Sequence, residues 1–353
     1  VKLANAVARS GQHPAVWNQA SGVVICKSGK DDYTKLKADL SISLLSCLGN
    51  IVEKVVAELL TEEGERRGQP SDGQYGSRKR RSAIYAAAVM VDRAHAAWRE
   101  GSIAGALLMD IKAASLSVGR GRLIHTKRGK GMDRDLIHWT ASFLSDRTVE
   151  MVIDSNVVEQ HPVDAGIPQW SPVSPILSTF YTSGFIKMVE ERVAGMEGLY
   201  FVDDVEWVAI GCDVNQVGRN LEACARDSID WAETGEVEFD SAKTEAALST
   251  RRRGQKKHLL PKMTGQIRVG NGFIKLNKEA SRWLGVWMDA HLTFKEHHDQ
   301  CIKKARTVEA GLRSLTGMYG VIPPRNRAVQ IARDQAVAFY GSMPWWDPKE
   351  GSR

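Results

Sequence analysis

No window of this 353-residue chain approaches ~18 uninterrupted apolar residues, so no membrane-spanning helix is expected. The opening segment, Val-Lys-Leu-Ala-Asn-Ala-Val, has no long apolar core and does not read as a secretory signal. An initiator Met is also missing, and a piece of a longer product is expected. Cysteines are few and scattered, at 26, 47, 212, 224 and 301. Their number is odd and no Cys-x-x-Cys occurs. That speaks against a disulfide framework and against a structural zinc site, and points to a reducing compartment. No short repeat and no low-complexity tract is present.

What remains is the composition of an ordinary soluble globular protein, 43% apolar and 25% charged. The length suits two or three subdomains. The net charge of +6 is a weak pointer to nucleic acid. Its distribution says more. Arg78, Lys79, Arg80 and Arg81 form one cluster, and Arg251, Arg252, Arg253, Lys256 and Lys257 form another. Each is read either as a phosphate-neutralising surface or as a solvated loop.

Hydrophobic periodicity orders the chain. Ile51, Val55, Val56, Leu59 and Leu60 follow helical spacing within 41–63. Residues 64–81 are Gly-rich, polar and basic, and read as a loop. A second helix is predicted over 82–99, capped by Ser82. Then the period changes. Residues 104–110 form an apolar run ending on Asp110, which predicts a buried strand, followed by a helix near 133–145. Residues 148–153 alternate as a strand. A Pro-rich loop over 166–175 leads into a helix through about 191. Residues 199–210 predict strand, tight turn, strand. A helix covers 214–233, a short strand 237–240, and strands with a hairpin 266–289. The stretch 293–342 is helix-rich, broken at Gly320 and at Pro323-Pro324. The expected class is α+β, with helical ends flanking a mixed core and a cleft for an extended ligand.

Two features put acids at the ends of apolar strands: Asp110, and the pair Asp203-Asp204. Adjacent strand residues point to opposite faces, so a double Asp fits best in the turn of a hairpin. The features lie 93 residues apart, and only strand pairing in one sheet can join them. Alone, each acid reads as a turn residue or cap. Together they are what two-metal phosphoryl transfer requires: carboxylates that hold two divalent ions side by side.

The neighbouring strings give this a family. Tyr200-Phe-Val-Asp-Asp204 resembles the aromatic-x-Asp-Asp box of reverse transcriptases, and Met109-Asp-Ile-Lys-Ala-Ala114 the first catalytic motif. Gly166-Ile-Pro-Gln-Trp-Ser-Pro-Val-Ser-Pro175 resembles the Gly-Ile-Pro-Gln-Gly-Ser-Pro motif. Phe239-Asp-Ser-Ala-Lys-Thr-Glu245 resembles the lysine motif. Arg282-Trp-Leu-Gly-Val-Trp-Met-Asp289 resembles the hairpin leading into the thumb. Lys27-Ser-Gly-Lys30, Ser41-Ile-Ser-Leu-Leu45 and Gly73-Gln-Tyr-Gly-Ser-Arg78 resemble the fingers motifs. Their order resembles the non-LTR (LINE-type) retrotransposon enzymes, particularly those of fungal elements, over nearly the whole chain.

The resemblance implies a right-hand polymerase fold, with fingers over 1–100, palm over 101–262, and palm–thumb hairpin and thumb over 263–353. It implies RNA-directed DNA synthesis from deoxynucleoside triphosphates on an RNA template and a DNA primer, with Mg²⁺ or alternatively Mn²⁺. Asp110, Asp203 and Asp204 would hold the metals, assisted by the carbonyl of Ile111. Gln169 would position template or nucleotide, and Lys243 would sit near the triphosphate, unless it is only a surface lysine. Lys27, Lys30 and Arg78 would contact phosphate. The compartment implied is intracellular, nuclear or cytoplasmic, and the endonuclease and C-terminal segments usual in such elements have no counterpart here.

Three positions depart from the family pattern. Trp170 stands where Gly permits close approach of a ligand, so the indole should clash with substrate or displace its loop. Ser115 replaces the ring that excludes a 2′-hydroxyl. Asp39-Leu40 replaces a basic pair. The expectation is an intact metal site beside an impaired substrate pocket, with a catalytically impaired relic that only binds nucleic acid as the alternative.

Overall fold

The computed structural model describes residues 2–26, 32–34, 39–112, 114–153, 156–235, 237–251, 266–270, 272–277, 280–318 and 323–345. In chain order the elements are α1 (Lys2–Ser10), β1 (Gln19–Cys26), β2 (Asp39–Leu44), α2 (Cys47–Arg66), α3 (Ala83–Arg99) and β3 (Ile103–Lys112). Next come α4 (Arg120–Gly129), α5 (Arg134–Leu144), β4 (Thr148–Ile153), β5 (Asn156–Pro162) and α6 (Ser174–Arg192). They are followed by β6 (Met196–Phe201), β7 (Asp204–Gly211), α7 (Val214–Thr234), β8 (Glu238–Phe239) and β9 (Glu245–Ser249). The remainder comprises β10 (Gln266–Val269), β11 (Gly272–Asn277), β12 (Ser281–Trp283), β13 (Val286–Met288), α8 (Lys295–Met318) and α9 (Pro323–Ala338). None of the described helices is long and apolar enough to cross a membrane.

Local chemistry sets the helix starts. The Ser82 hydroxyl accepts from the Tyr85 N–H at 3.1 Å and caps α3, as its sequence predicts. Asp133 caps α5 through the N–H groups of Asp135 (2.9 Å) and Leu136 (3.3 Å). Ser46 caps α2 through Gly49 at 3.2 Å. On α2 the buried stripe runs Val52, Val56, Leu60, one residue every four.

The chain divides into two compact units that do not follow chain order. The first comprises Val1–Lys79, Ile111–Val189 and Ser228–Phe239. Its sheet has the order β2-β1-β4-β5, with β1 and β4 parallel and the other pairs antiparallel. The helices add an aromatic core in which Trp139 and Phe143 stack at 5.1 Å, with Phe180 and Phe185 also fully buried.

The second unit comprises Arg80–Asp110, Glu190–Asp227 and Asp240–Arg353. Its sheet runs β10-β11-β9-β3-β7-β6, with β3 at the centre between β7 and β9. Strand β3 is buried along its whole length up to Met109, which is why it reads as one apolar run. Gly105 is required there: a Cβ would come within 2.3 Å of Val217 on α7. Hairpin β12–β13 forms a separate ribbon with Trp283 opposite Val286.

Candidate active site

Strand pairing joins what 93 residues of sequence separate. In the antiparallel register of β3 and β7, Asp110 lies directly opposite Asp204. Asp204 also pairs with Phe201, so Val202-Asp203 is the two-residue turn of the β6–β7 hairpin. Val202 takes φ +61 and Asp203 does not share that region. A positive φ at the first turn position alone marks a type II′ turn, where Gly is normal. A β-branched residue there stores on the order of 1–3 kcal/mol of strain. The turn thus carries one acid at its tip and the other at its base.

A fourth residue completes the constellation. The Asp240 carbonyl accepts from the N–H groups of Lys243 and Thr244, both at 3.0 Å, and its carboxylate accepts from Ala242 at 3.2 Å. Asp240 is tied to the strand in turn, since its own N–H donates to the Asp110 carbonyl at 2.8 Å. This Asx-type turn aims Lys243 at the acids. Its ammonium donates to Asp110 Oδ2 at 2.5 Å and lies 3.9 Å from Asp240. Lys243 is thus ion-paired to the acid cluster while most of its side chain stays exposed. Asp240 is the member that sequence reading passed over, although an Asp opening a tight turn is a legible signal.

The cluster carries more negative charge than its one cation offsets. Burial, then the charges of Asp203 and Asp110, push the Asp204 carboxyl up to about 6. Burial likewise raises Asp203, with Asp110 adding to it. The Lys243 ammonium is held above the ordinary lysine range, chiefly by its hydrogen bond to Asp110. Three hard carboxylates with surplus charge have the donor chemistry of a divalent-cation site. Among the described residues they are not drawn together around a single point as a preformed cage would be. Lys243 occupies the Asp110 oxygen that an incoming cation would need.

The remaining predicted residues that are described lie in the first unit. Ile111 is buried and pairs with Phe239 of β8. The Ser115 carbonyl accepts from Ile167 at 2.7 Å, joining the segment after β3 to the Gly166–Ser174 loop. That loop is anchored throughout. Arg120 donates to the carbonyls of Gly166 (3.0 Å) and Val163 (2.6 Å), and Ser174 to that of Pro168 (2.6 Å). Gln169 sits half-buried within it. Trp170 is 64% exposed. Its cost falls on the backbone, at φ +67.

Arg78 is not a free phosphate ligand. Its guanidinium forms a bidentate pair with Glu65 (2.7 and 2.8 Å) and donates to the carbonyls of Ser71 and Gln74. Lys79 is paired with Glu62 at 2.8 Å. Arg251 lies 5.4 Å from the Trp98 ring centre. Lys27 and Lys30, with 252–257 of the second basic cluster, fall outside the described residues. Leu40 lies on β2 opposite Ile25.

Two buried acids escaped sequence reading. Glu53 on α2 accepts from Ser171 at 2.5 Å, both side chains being buried, and so ties α2 to the loop carrying Gln169. Burial holds its carboxyl above the usual range against the pull of Ser171 and Arg147. Glu206, two residues beyond Asp204, is fully buried with neither oxygen hydrogen-bonded, and burial raises its pKa well above 4.5. An acid within an amphipathic helix or an apolar strand reads as exposed, so no sequence signal marks either one.

A model of the family described as reverse transcriptase (RNA-dependent DNA polymerase) matches residues 30–288, spanning Asp110, Asp203, Asp204, Asp240 and Lys243. The chain belongs to the reverse transcriptase family. Its relatives include the RNA-directed DNA polymerase from the mobile element jockey of Drosophila melanogaster, 25% identical over 92% of this chain and 34% of that protein. Another is the probable RNA-directed DNA polymerase from transposon BS of the same fly, 23% identical over 97% of this chain and 37% of the relative. The chain thus spans about a third of the length of these relatives. Among solved structures, apo telomerase from Candida tropicalis, truncated of its C-terminal domain, aligns at a TM-score of 0.53 and 10% identity. It covers 79% of this chain and 55% of that one. Telomerase from Candida albicans in complex with a telomeric RNA fragment aligns at 0.52, again at 10% identity, over 98% of this chain and 59% of that one. These likenesses show the fold, the α+β right-hand polymerase class expected from the motifs. The reverse transcriptase family uses divalent metals and binds nucleic acid.

Proposed function

We propose that this reverse-transcriptase chain catalyses RNA-templated DNA synthesis as the polymerase segment of a non-LTR retrotransposon protein. The observation that carries the reading is Asp110 facing Asp204 across β3 and β7, with Asp203 in the adjoining turn and Lys243 on Asp110. The reaction joins a primer 3′-oxygen to the α-phosphorus of a deoxynucleoside triphosphate. The hydroxyl gives up its proton, the bond to the β-phosphate oxygen breaks, and pyrophosphate leaves. Bound Mg²⁺ (or Mn²⁺) ions would activate the hydroxyl and neutralise the triphosphate.

The chain's residues divide the remaining work. Asp110, Asp203 and Asp204, with the Ile111 carbonyl, would hold the ions. Lys243, released from Asp110, would neutralise or protonate the leaving pyrophosphate. Gln169, fixed by the anchored loop, would orient template or nucleotide. Ser115 leaves no ring to exclude a 2′-hydroxyl, and incorporated ribonucleotides should rise accordingly. Lys27, Lys30 and Arg78 are the phosphate candidates of the fingers, Arg78 only after leaving Glu65.

A second reading is a chain that binds nucleic acid without turnover. Trp170 favours it, because its exposed indole and positive φ stand on the loop that would meet substrate. One experiment separates the two: Mg²⁺-dependent extension of a DNA primer on an RNA template by parent and Trp170→Gly proteins. Extension abolished by Asp203→Asn supports the polymerase. Salt-sensitive binding with no extension by either protein supports the second reading.

A further inference from the structure

We infer that the second unit holds a separate binding pocket for one nucleoside phosphate, between the β12–β13 hairpin and helices α8 and α9. The pocket has a volume of about 280 Å³. That is just below the ~300–1,000 Å³ of small-molecule sites, room for one nucleotide and not for a strand.

Its lining has two chemistries. Arg282 of β12 and Lys304 of α8 supply cations, and among the described residues no acid lines the pocket beside them. Neither has a salt-bridge partner among the described residues, in contrast to Arg78, Lys79 and Lys243. Two unpaired cations around one concavity select an anion, and a guanidinium suits a phosphate in particular. Trp287 stands directly across the hairpin from Arg282, so both project from the same face. With Tyr340 it adds aromatic surface on which a base can stack. Gln300 supplies the polar edge. Its amide donates to Glu296 at 2.9 Å, leaving its carbonyl available to a base N–H.

The pocket is braced from behind. The Tyr340 hydroxyl donates to the Leu284 carbonyl at 2.8 Å. His297 is buried, with Nε2 2.8 Å from the Tyr340 carbonyl and Nδ1 accepting from the Trp287 N–H at 3.4 Å. The Cys301 sulfur lies 3.6 Å from His297, but burial raises its pKa, so this Cys–His pair is packing and not a nucleophile. Gly285, at φ +83, passes so close to the Tyr340 ring that a Cβ would lie 2.9 Å from it. These groups fix the walls and leave binding, not chemistry, as the function. The site uses none of the acid cluster and stands independently of the polymerase reading.

The test is equilibrium binding in EDTA, which silences metal-dependent nucleotide binding at the acids. The probes are deoxyadenosine monophosphate, inorganic phosphate, and a short single-stranded DNA bearing a 5′ phosphate. Tryptophan quenching by the nucleotide in the parent, lost in Trp287→Phe, is expected. Arg282→Gln/Lys304→Gln should weaken binding about tenfold or more, the scale of losing charge-assisted hydrogen bonds. Both cations are exposed, so the double variant should melt as the parent does. Competition by the oligonucleotide would show that the phosphate can come from a strand end, and its absence that the pocket takes free nucleotide. Binding of inorganic phosphate as tight as that of the nucleotide would overturn the stacking role. No nucleotide binding, or equal affinity in parent and double variant, would overturn the site.

Discussion

Lys243 shows how a single residue can change its meaning between sequence and structure. In sequence it is a lysine in a polar turn. In the fold its ammonium rests 2.5 Å from an Asp110 oxygen. If Asp110 is a metal ligand as proposed, that ammonium is a ground-state stand-in for the ion. Lys243→Ala should therefore weaken nucleotidyl transfer, by roughly 10²-fold if it acts as general acid, while divalent-ion affinity at the acids is kept or improved. Metal titration alongside kcat checks this; a loss of metal affinity would contradict it. Arg78 makes the opposite case. Its bidentate pair and two carbonyl contacts predict that Arg78→Ala lowers the melting temperature, with nucleic-acid affinity nearly unchanged. A large affinity loss at unchanged stability would restore its phosphate role.

At the scale of elements, close backbone approach is the controlling feature. Gly166, at φ +73, would place a Cβ 2.7 Å from the Ser115 carbonyl oxygen and the Leu116 Cα. Neither is a flexible side-chain tip, so Gly166→Ala must part the 111–117 segment from the 166–174 loop. The expected result is a loss of a few kcal/mol in unfolding free energy, combining backbone strain with the lost contact. Denaturant unfolding measures it, and a change within ~0.5 kcal/mol would refute the close approach. Gly166 was legible because a motif carried it, as Ser82 was legible by its cap and β3 by its apolar run. Helix α4 was not. It contains Arg120, Arg122, Lys127, Arg128 and one deeply buried leucine, and its polar surface hides the period. Strands β1, β5 and β9 also went unread. β1 and β9 are held by pairing to strands distant in sequence, and β5 is an edge strand on its chain neighbour β4. The acid site was legible because its strands end on charges that an apolar core would exclude. The Glu53–Ser171 bond was not, since nothing in either local sequence names the other.

For the molecule as a whole, buried charge ties stability to pH. Lys127 is fully enclosed in the first unit, donates to Thr140 at 2.6 Å, and is pushed down to about 7 by burial. Between about 7 and the ordinary 10.5 the unfolded chain therefore binds more protons than the folded one. The Lys127 contribution is unfavourable below pH 7 and is relieved as pH rises through that window. Subtracting the Lys127→Met stability curve from the parent's should leave a slope approaching about 1.4 kcal/mol per pH unit there. A flat difference would show that Lys127 is solvated. The same substitution should stabilise the chain at neutral pH, because it removes a buried cation.

Asp110, Asp203 and Asp204 are proposed to drive nucleotidyl transfer whatever Trp170 does to the substrate. The most direct test is RNA-templated incorporation in Mg²⁺ by Trp170→Gly beside Trp170→Gly/Asp203→Asn. Synthesis by the first and none above background by the second is expected. Equal incorporation by both, or none by the first in Mg²⁺ or Mn²⁺, would contradict it.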